Sequence, residues 1–200
     1  MKKVILRPKR DFSVRKHHPW IFSGALADAA FEDVPPGETV EVCDAKGEAL
    51  GYGSWSPASQ IRVRMLSFDP KTVPDAKFIE RLVASAVGRR ADFFANAYTN
   101  AVRLVNAESD RLPGVVADYY AGWVVCQFTS AGAEFWKREI AAALMKFAPF
   151  CRGVAERTDV DVRAKEGLST AIDCNRQLST PPATRPRTIP PTVTKSGSSL

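Results

Sequence analysis

The chain has 200 residues, 45% hydrophobic and 25% charged, with a net charge of +6, which suits one large globular domain or two small ones. No apolar stretch approaches the ~20 residues that span a bilayer, and the basic start Met1-Lys2-Lys3 meets Arg7-Pro8 too soon for a secretory leader, so a soluble, cytoplasmic chain is expected. Cys43, Cys126, Cys151 and Cys174 are scattered without a CxxC or Cys/His cluster, and His17 and His18 stand side by side on their own, so no metal site is expected.

The charge is concentrated at one end. Residues 1–24 hold seven basic side chains against Asp11 alone, whereas the body of the chain is slightly acidic. A basic end beside a near-neutral body suits either a polyanion-binding surface or a solvated basic terminus.

Up to about residue 70 the pattern reads as strand. Val4-Ile5-Leu6 is a short apolar run, Thr39 to Val42 alternates, Asp44-Ala45-Lys46-Gly47 has turn chemistry, and Glu48 to Trp55 returns. Gln60 to Leu66 alternates with period two, and Gly51 and Gly53 inside a strand pattern predict a bulge or a close backbone approach. Short strands separated by turns predict a small barrel or curled sheet. From about Val73 a helix is predicted, with Phe78, Leu82, Val83, Ala86 and Val87 on one face. Val102 to Val105 is another apolar run, followed by the turn-rich Glu108 to Gly114. Val115–Tyr120 and Trp123–Phe128, joined by Ala121-Gly122, predict a hairpin. A second helix is expected after the N-cap Ser130, carrying Trp136, Ile140, Ala143, Leu144 and Phe147, and a last strand from Arg152 to Arg157. From Ser169 onward half of the residues are Ser, Thr or Pro, a composition that predicts disorder because too little apolar surface offsets the ordering entropy.

Several of these stretches carry a likeness. Arg15-Lys16-His17-His18-Pro19-Trp20-Ile21-Phe22-Ser23-Gly24-Ala25, Gly53 to Arg64, Glu108 to Gly114 with Asp118 and Tyr119, Ser130 to Glu134, and Arg157 to Arg163 through Glu166-Gly167 occur in order. Together they resemble the N-terminal part of the bacterial 23S ribosomal RNA cytosine-5 methyltransferases, over residues 1 to about 168. The resemblance implies a PUA-like β-barrel (1–72), a small α+β central domain (73–168) and, in the intact family, a Rossmann-like domain that binds S-adenosylmethionine and supplies a nucleophilic cysteine. The glycine-rich loop, the Asp-Pro-Pro segment and that cysteine have no counterpart here. Residues 169–200 therefore read as a disordered tail, which a truncated gene or a frame shift near codon 168 would produce, and the chain as a methyltransferase interrupted before its catalytic domain. The alternatives are an enzyme active only with a catalytic half supplied separately, and a non-functional remnant.

Under this reading no catalytic, cofactor-binding or metal-binding residue is assigned, and ribosomal RNA is the expected partner, with a homodimer considered for the intact enzyme. The resemblance places RNA against Arg10 to Trp20, making Lys9, Arg10, Arg15, Lys16 and His17 the candidate contacts, with phosphate charge supplying the salt-dependent affinity. Arg62 and Arg64 share a strand face, and either extend this patch or form the polar face of an amphipathic strand. Trp20 and Phe22 could stack on bases, but inside an apolar run after a proline they are assigned to the core.

Overall fold

The computed structural model describes residues 1–27, 33–95, 99–159, 161–170 and 176–179. Two five-stranded sheets organise them. The first contains β1 (Lys3–Ile5), β2 (Trp20–Phe22), β3 (Thr39–Cys43), β4 (Ala49–Trp55) and β5 (Ile61–Ser67) in the order β1-β3-β4-β5-β2, with the short helix α1 (Phe12–Arg15) between β1 and β2. Only β1 and β3 pair in parallel. The sheet curls: just past β1 and β2, Leu6 bridges Leu26, Arg7 N–H donates to Ala25 O and Ala27 N–H to Ile5 O. Val4, Leu6, Ile21, Val40, Val42, Trp55, Val63 and Met65 fill the interior of this curl.

The two glycines in β4 act as the sequence pattern implies. A side chain on Gly51 (φ +142) would run into Ser67 O, and one on Gly53 would strike Val63 and the Arg64 carbonyl, so β5 crosses closer than any larger residue allows. The register slips between Tyr52 and Gly53 at this crossing.

The second sheet follows two helices, α2 (Ala76–Gly88) and α3 (Ala91–Ala95). It comprises β6 (Ala101–Asn106), β7 (Val115–Tyr120), β8 (Trp123–Phe128), β9 (Gly153–Glu156) and β10 (Arg176–Ser179) in the order β10-β9-β8-β7-β6, with β8 and β9 parallel. Ala121 (φ 47) and Gly122 (φ 97) make the tight turn between β7 and β8, joining Tyr120 to Trp123 as paired residues. α2 begins at Asp75, whose side chain accepts from Phe78 N–H at 2.6 Å. Its apolar stripe packs with α5 (Lys137–Phe147) on the face formed by Val115, Ala117, Val124, Cys126 and Phe128. The single helix expected from Ser130 to Phe147 is two, α4 (Ala131–Phe135) and α5, separated at Trp136. Ser130 does cap the first, accepting from Ala133 N–H at 3.1 Å. A short helix, α6 (Val162–Lys165), follows β9.

The expected disorder from Ser169 onward is corrected at one point, since Arg176–Ser179 pair antiparallel with β9. Reading the tail by its apolar content misses a strand held through backbone groups along an otherwise unpaired edge. Residues 171–175 and 180–200, Cys174 among them, lie outside the described residues. No helix among the described residues is long and apolar enough to cross a membrane.

Candidate nucleic-acid interface

The basic residues picked from the sequence divide into those on the surface and those drawn inward. Lys9 and Arg10 lie exposed in the turn before α1, and Lys16 and His17 lie exposed just after it. Lys9 (φ 64) and His17 (φ 60) have left-handed backbone, which for His17 ends α1 and turns its ring onto Phe68, 4.7 Å between centroids and 28° from parallel. Lys16 reaches over the Phe12 ring at 5.8 Å. Arg15 is differently placed: it pairs with Asp11 at 2.6 Å and Asp44 at 2.9 Å, with Glu48 beyond, and the Arg15 hydrogen bond holds the Asp11 carboxyl below its usual range. Its charge is already largely compensated.

Arg62 and Arg64 turn into the protein. Arg62 bends over its own loop to donate to Ser56 O and Pro57 O, with its guanidinium 5.7 Å from the Trp55 ring. Arg64 meets Glu166 in a two-point pair, Nη2 to Oε1 at 2.8 Å and Nη1 to Oε2 at 3.1 Å, with side chains only 11% and 2% exposed. The same carboxylate accepts from Ser56 Oγ at 2.8 Å and from Ala131 N–H at 3.3 Å. Burial alone would raise the Glu166 pKa, but hydrogen bonds from Ser59, Arg64 and Ser56 and the Arg64 charge pull it below the usual glutamate value. This carboxylate ties β4 and β5 of the first sheet to α4 of the second unit. Gly132 in α4 sits so close to Ser54 that a side chain there would overlap it. Arg64 is thus part of a buried junction rather than the exposed patch considered from its strand pattern.

A further bridge corrects the assignment of Trp20 and Phe22 to the core. They are 36% and 50% exposed. The two short edge-strand residues flank the inward-facing Ile21, and Trp20 Nε1 donates to Glu108 Oε1 across the junction at 2.8 Å. Glu108 also lines a cleft of about 600 Å³, bounded by His17, Pro19 and the end of β5 through Phe68 on the first unit and by Phe78, Arg111 and Pro113 on the second. Arg111 takes left-handed backbone (φ 60) at the end of a 3₁₀ turn, and Asp110 beside it is buried, accepting from Arg90 at 2.8 Å, from Arg89 and from Asn106 N–H. Burial would raise the Asp110 pKa; Arg90 and Arg89 outweigh that and lower it.

Glu166, Glu108 and the Arg89–Arg90–Asp110 cluster are absent from the sequence-derived set of site residues. Each acts across more than 19 positions of chain; Glu108, Asp110 and Glu166 lie in stretches that carry the likeness, but neither spacing nor composition marks their partners. A small curled sheet with an exposed basic turn and helix is joined to an α/β unit through the contacts of Glu166 and Glu108. Residues 4–68 match the PUA-like domain family.

The chain is similar to two curated relatives named ribosomal RNA large subunit methyltransferase I. It is 43% identical over 170 residues to that of Shewanella frigidimarina, covering 85% of this chain and 43% of the relative, and 41% identical over 166 residues to that of Shewanella amazonensis, covering 83% and 41%. The chain thus spans about two fifths of the length of the curated relatives it matches. Among solved structures, a Streptococcus mutans protein described as a SAM-dependent methyltransferase superposes with a TM-score of 0.67 at 19% identity, covering 78% of this chain and 40% of that one. A protein described as a methyltransferase and crystallised with SAH gives 0.67 at 20% identity, with the same coverage. At these identities the likeness is one of fold.

Proposed function

We propose that this chain binds ribosomal RNA as the substrate-recruiting portion of a SAM-dependent 23S rRNA cytosine-5 methyltransferase, and that it does not transfer methyl groups by itself. The observation that carries the reading is the match to ribosomal RNA large subunit methyltransferases over 170 residues, together with the PUA-like segment at residues 4–68. Residues 1–72, with the curled sheet closing as a barrel, form the RNA-binding domain, and residues 73–168 the central domain that orients it. Lys9, Arg10, Lys16 and His17 meet phosphates along the exposed turn and helix, whereas Arg15, Arg62 and Arg64 serve mainly to shape the surface behind them.

S-adenosylmethionine, the methyl donor of such an enzyme, does not fit the described residues. The close-packed glycines Gly51, Gly53 and Gly132 have their side-chain space taken by Ser67, Val63 and Ser54, so they offer no cradle to a nucleotide-like ligand. Burial pushes the thiols of Cys43, Cys126 and Cys151 up, away from the thiolate that attack on a pyrimidine needs. The chemistry therefore belongs to the length of the relatives that this chain does not span, in a cytoplasmic enzyme that works on ribosomal RNA, with the homodimer as one assembly to examine.

The test is a titration of the purified chain with 23S ribosomal RNA fragments at several salt concentrations, beside an assay of methyl transfer from labelled S-adenosylmethionine. Saturable, salt-sensitive binding without methyl transfer is expected. Methyl transfer by the chain alone, or binding that ignores salt, would overturn the reading.

A further inference from the structure

The cleft between the two units has a recognition chemistry of its own, adjoining the basic strip at α1 and sharing His17 with it. Its volume of about 600 Å³ lies within the ~300–1,000 Å³ range of small-ligand sites and is ample for one nucleotide. One wall is aromatic, the stacked rings of His17 and Phe68. From the other side comes Glu108. Its Oε1 accepts from Trp20 Nε1, while Oε2 has no donor among the described residues. The Arg111 guanidinium likewise has no partner among the described residues. His17 and Arg111, on opposite sides, both hold left-handed backbone, a conformation that side-chain-bearing residues adopt at a cost and that concentrates at ligand sites.

We infer that this cleft is a pocket for a single unstacked RNA base bearing an exocyclic amine, lying against the His17–Phe68 wall with its amine edge on Glu108. The inference rests on the RNA-binding reading above and adds a base-selective subsite to it. An ionised carboxylate only accepts hydrogen bonds, so it pairs with the N4 amine of cytosine, the N6 amine of adenine or the N2 amine of guanine and opposes the O4 of uracil. A phosphate is repelled from the same spot and finds Arg111, or Lys16 next to His17. Stacking of the base on an aromatic side chain supplies affinity without regard to sequence; Glu108 supplies the choice.

Cytosine and uracil decamers differ at the 4-position amine or carbonyl and at N3, which makes them the probes. Each, end-labelled, is titrated into the full chain at one salt concentration and followed by fluorescence anisotropy. The cytosine decamer is expected to bind about tenfold more tightly, the scale of one hydrogen bond to a charged acceptor. In Glu108→Gln the amide oxygen still accepts from Trp20 Nε1, while the new NH₂ donates to uracil O4, so the gap closes. In Phe68→Leu apolar volume is kept and the stacking surface is lost, so both decamers weaken by roughly tenfold. Thermal melts establish that each variant is folded, and Phe68→Leu decides the matter if Glu108→Gln is not. Equal affinity for the two decamers, or a preference that Glu108→Gln leaves intact, overturns the pocket while ribosomal RNA binding stands. Absence of salt-sensitive binding to any RNA overturns the function proposed above and the pocket with it.

Discussion

Removing the Glu166 carboxylate tests whether the two units are held by one buried contact. In Glu166→Ala, Arg64 keeps its charge in a position only 11% exposed, and Ser56 Oγ and Ala131 N–H lose their acceptor. Breaking a buried pair by deleting one partner costs about 3–5 kcal/mol. For a chain of this size each kcal/mol moves the melting temperature by ~2–4 °C, so a fall of roughly 6–20 °C is expected. Glu166→Gln keeps the shape and one acceptor oxygen and should cost about 1.5–3 kcal/mol. Urea denaturation followed by circular dichroism measures both, and the tryptophan fluorescence of Trp55 and Trp136, one in each unit, reports whether the units still unfold together. Splitting of one transition into two is expected for Glu166→Ala. The double variant Glu166→Leu with Arg64→Met removes both charges and should recover most of the loss. A cost below about 1 kcal/mol for Glu166→Ala, with a coupling to Arg64 near zero in the cycle, would refute the reasoning, since a carboxylate with four donors around it cannot be that cheap to remove.

The pH dependence has a definite sign. Glu166 has a folded pKa below the ordinary 4.5, so its contribution is present above that value and is lost as pH falls through the lower folded value; the wild type should lose stability in that acid window more steeply than Glu166→Gln, as urea midpoints between pH 3 and pH 6 will register. Asp110→Asn weakens the bonds from Arg89, Arg90 and Asn106 N–H to a buried group, and should cost about 1.5–3 kcal/mol in the same denaturation assay. Gly132→Ala drives a methyl into Ser54 at the α4–β4 contact and should destabilise by ~1–3 kcal/mol, with rescue by Ser54→Gly; equal stability of wild type and variant would show that the contact is loose. Lys16→Ala should lower the slope of log affinity against log salt by about 1, whereas Arg64→Met should leave the slope unchanged although it lowers stability.

Much of the local structure was legible in the sequence because the signals are short-range. The apolar stripe of Phe78, Leu82, Val83, Ala86 and Val87 defines α2, Ala121-Gly122 defines the hairpin, Ser130 caps α4, and Gly51 and Gly53 announce the close crossing of β5. The basic segment from Lys9 to His17 was also plain, since charge can be counted along a chain. What the sequence could not decide is which of those charges stays available. Arg15 and Arg64 look alike in a list of residues, but one sits among Asp11, Asp44 and Glu48 and the other is buried on Glu166, a partner 102 positions away. Trp20 and Phe22 read as core by their neighbours, yet they flank an inward Ile21 on an edge strand and stay exposed, Trp20 reaching Glu108. Strand β10 lies in a stretch whose composition argues against order, because backbone pairing along an open edge needs no apolar side chain. Sequence alone therefore determined the elements with a short-range signal and the sign of the surface charge, but neither β10 nor the break between α4 and α5. Tertiary structure decided which charges are spent on the junction, because ion pairing and burial depend on distance in space, and that distance is unrelated to separation along the chain.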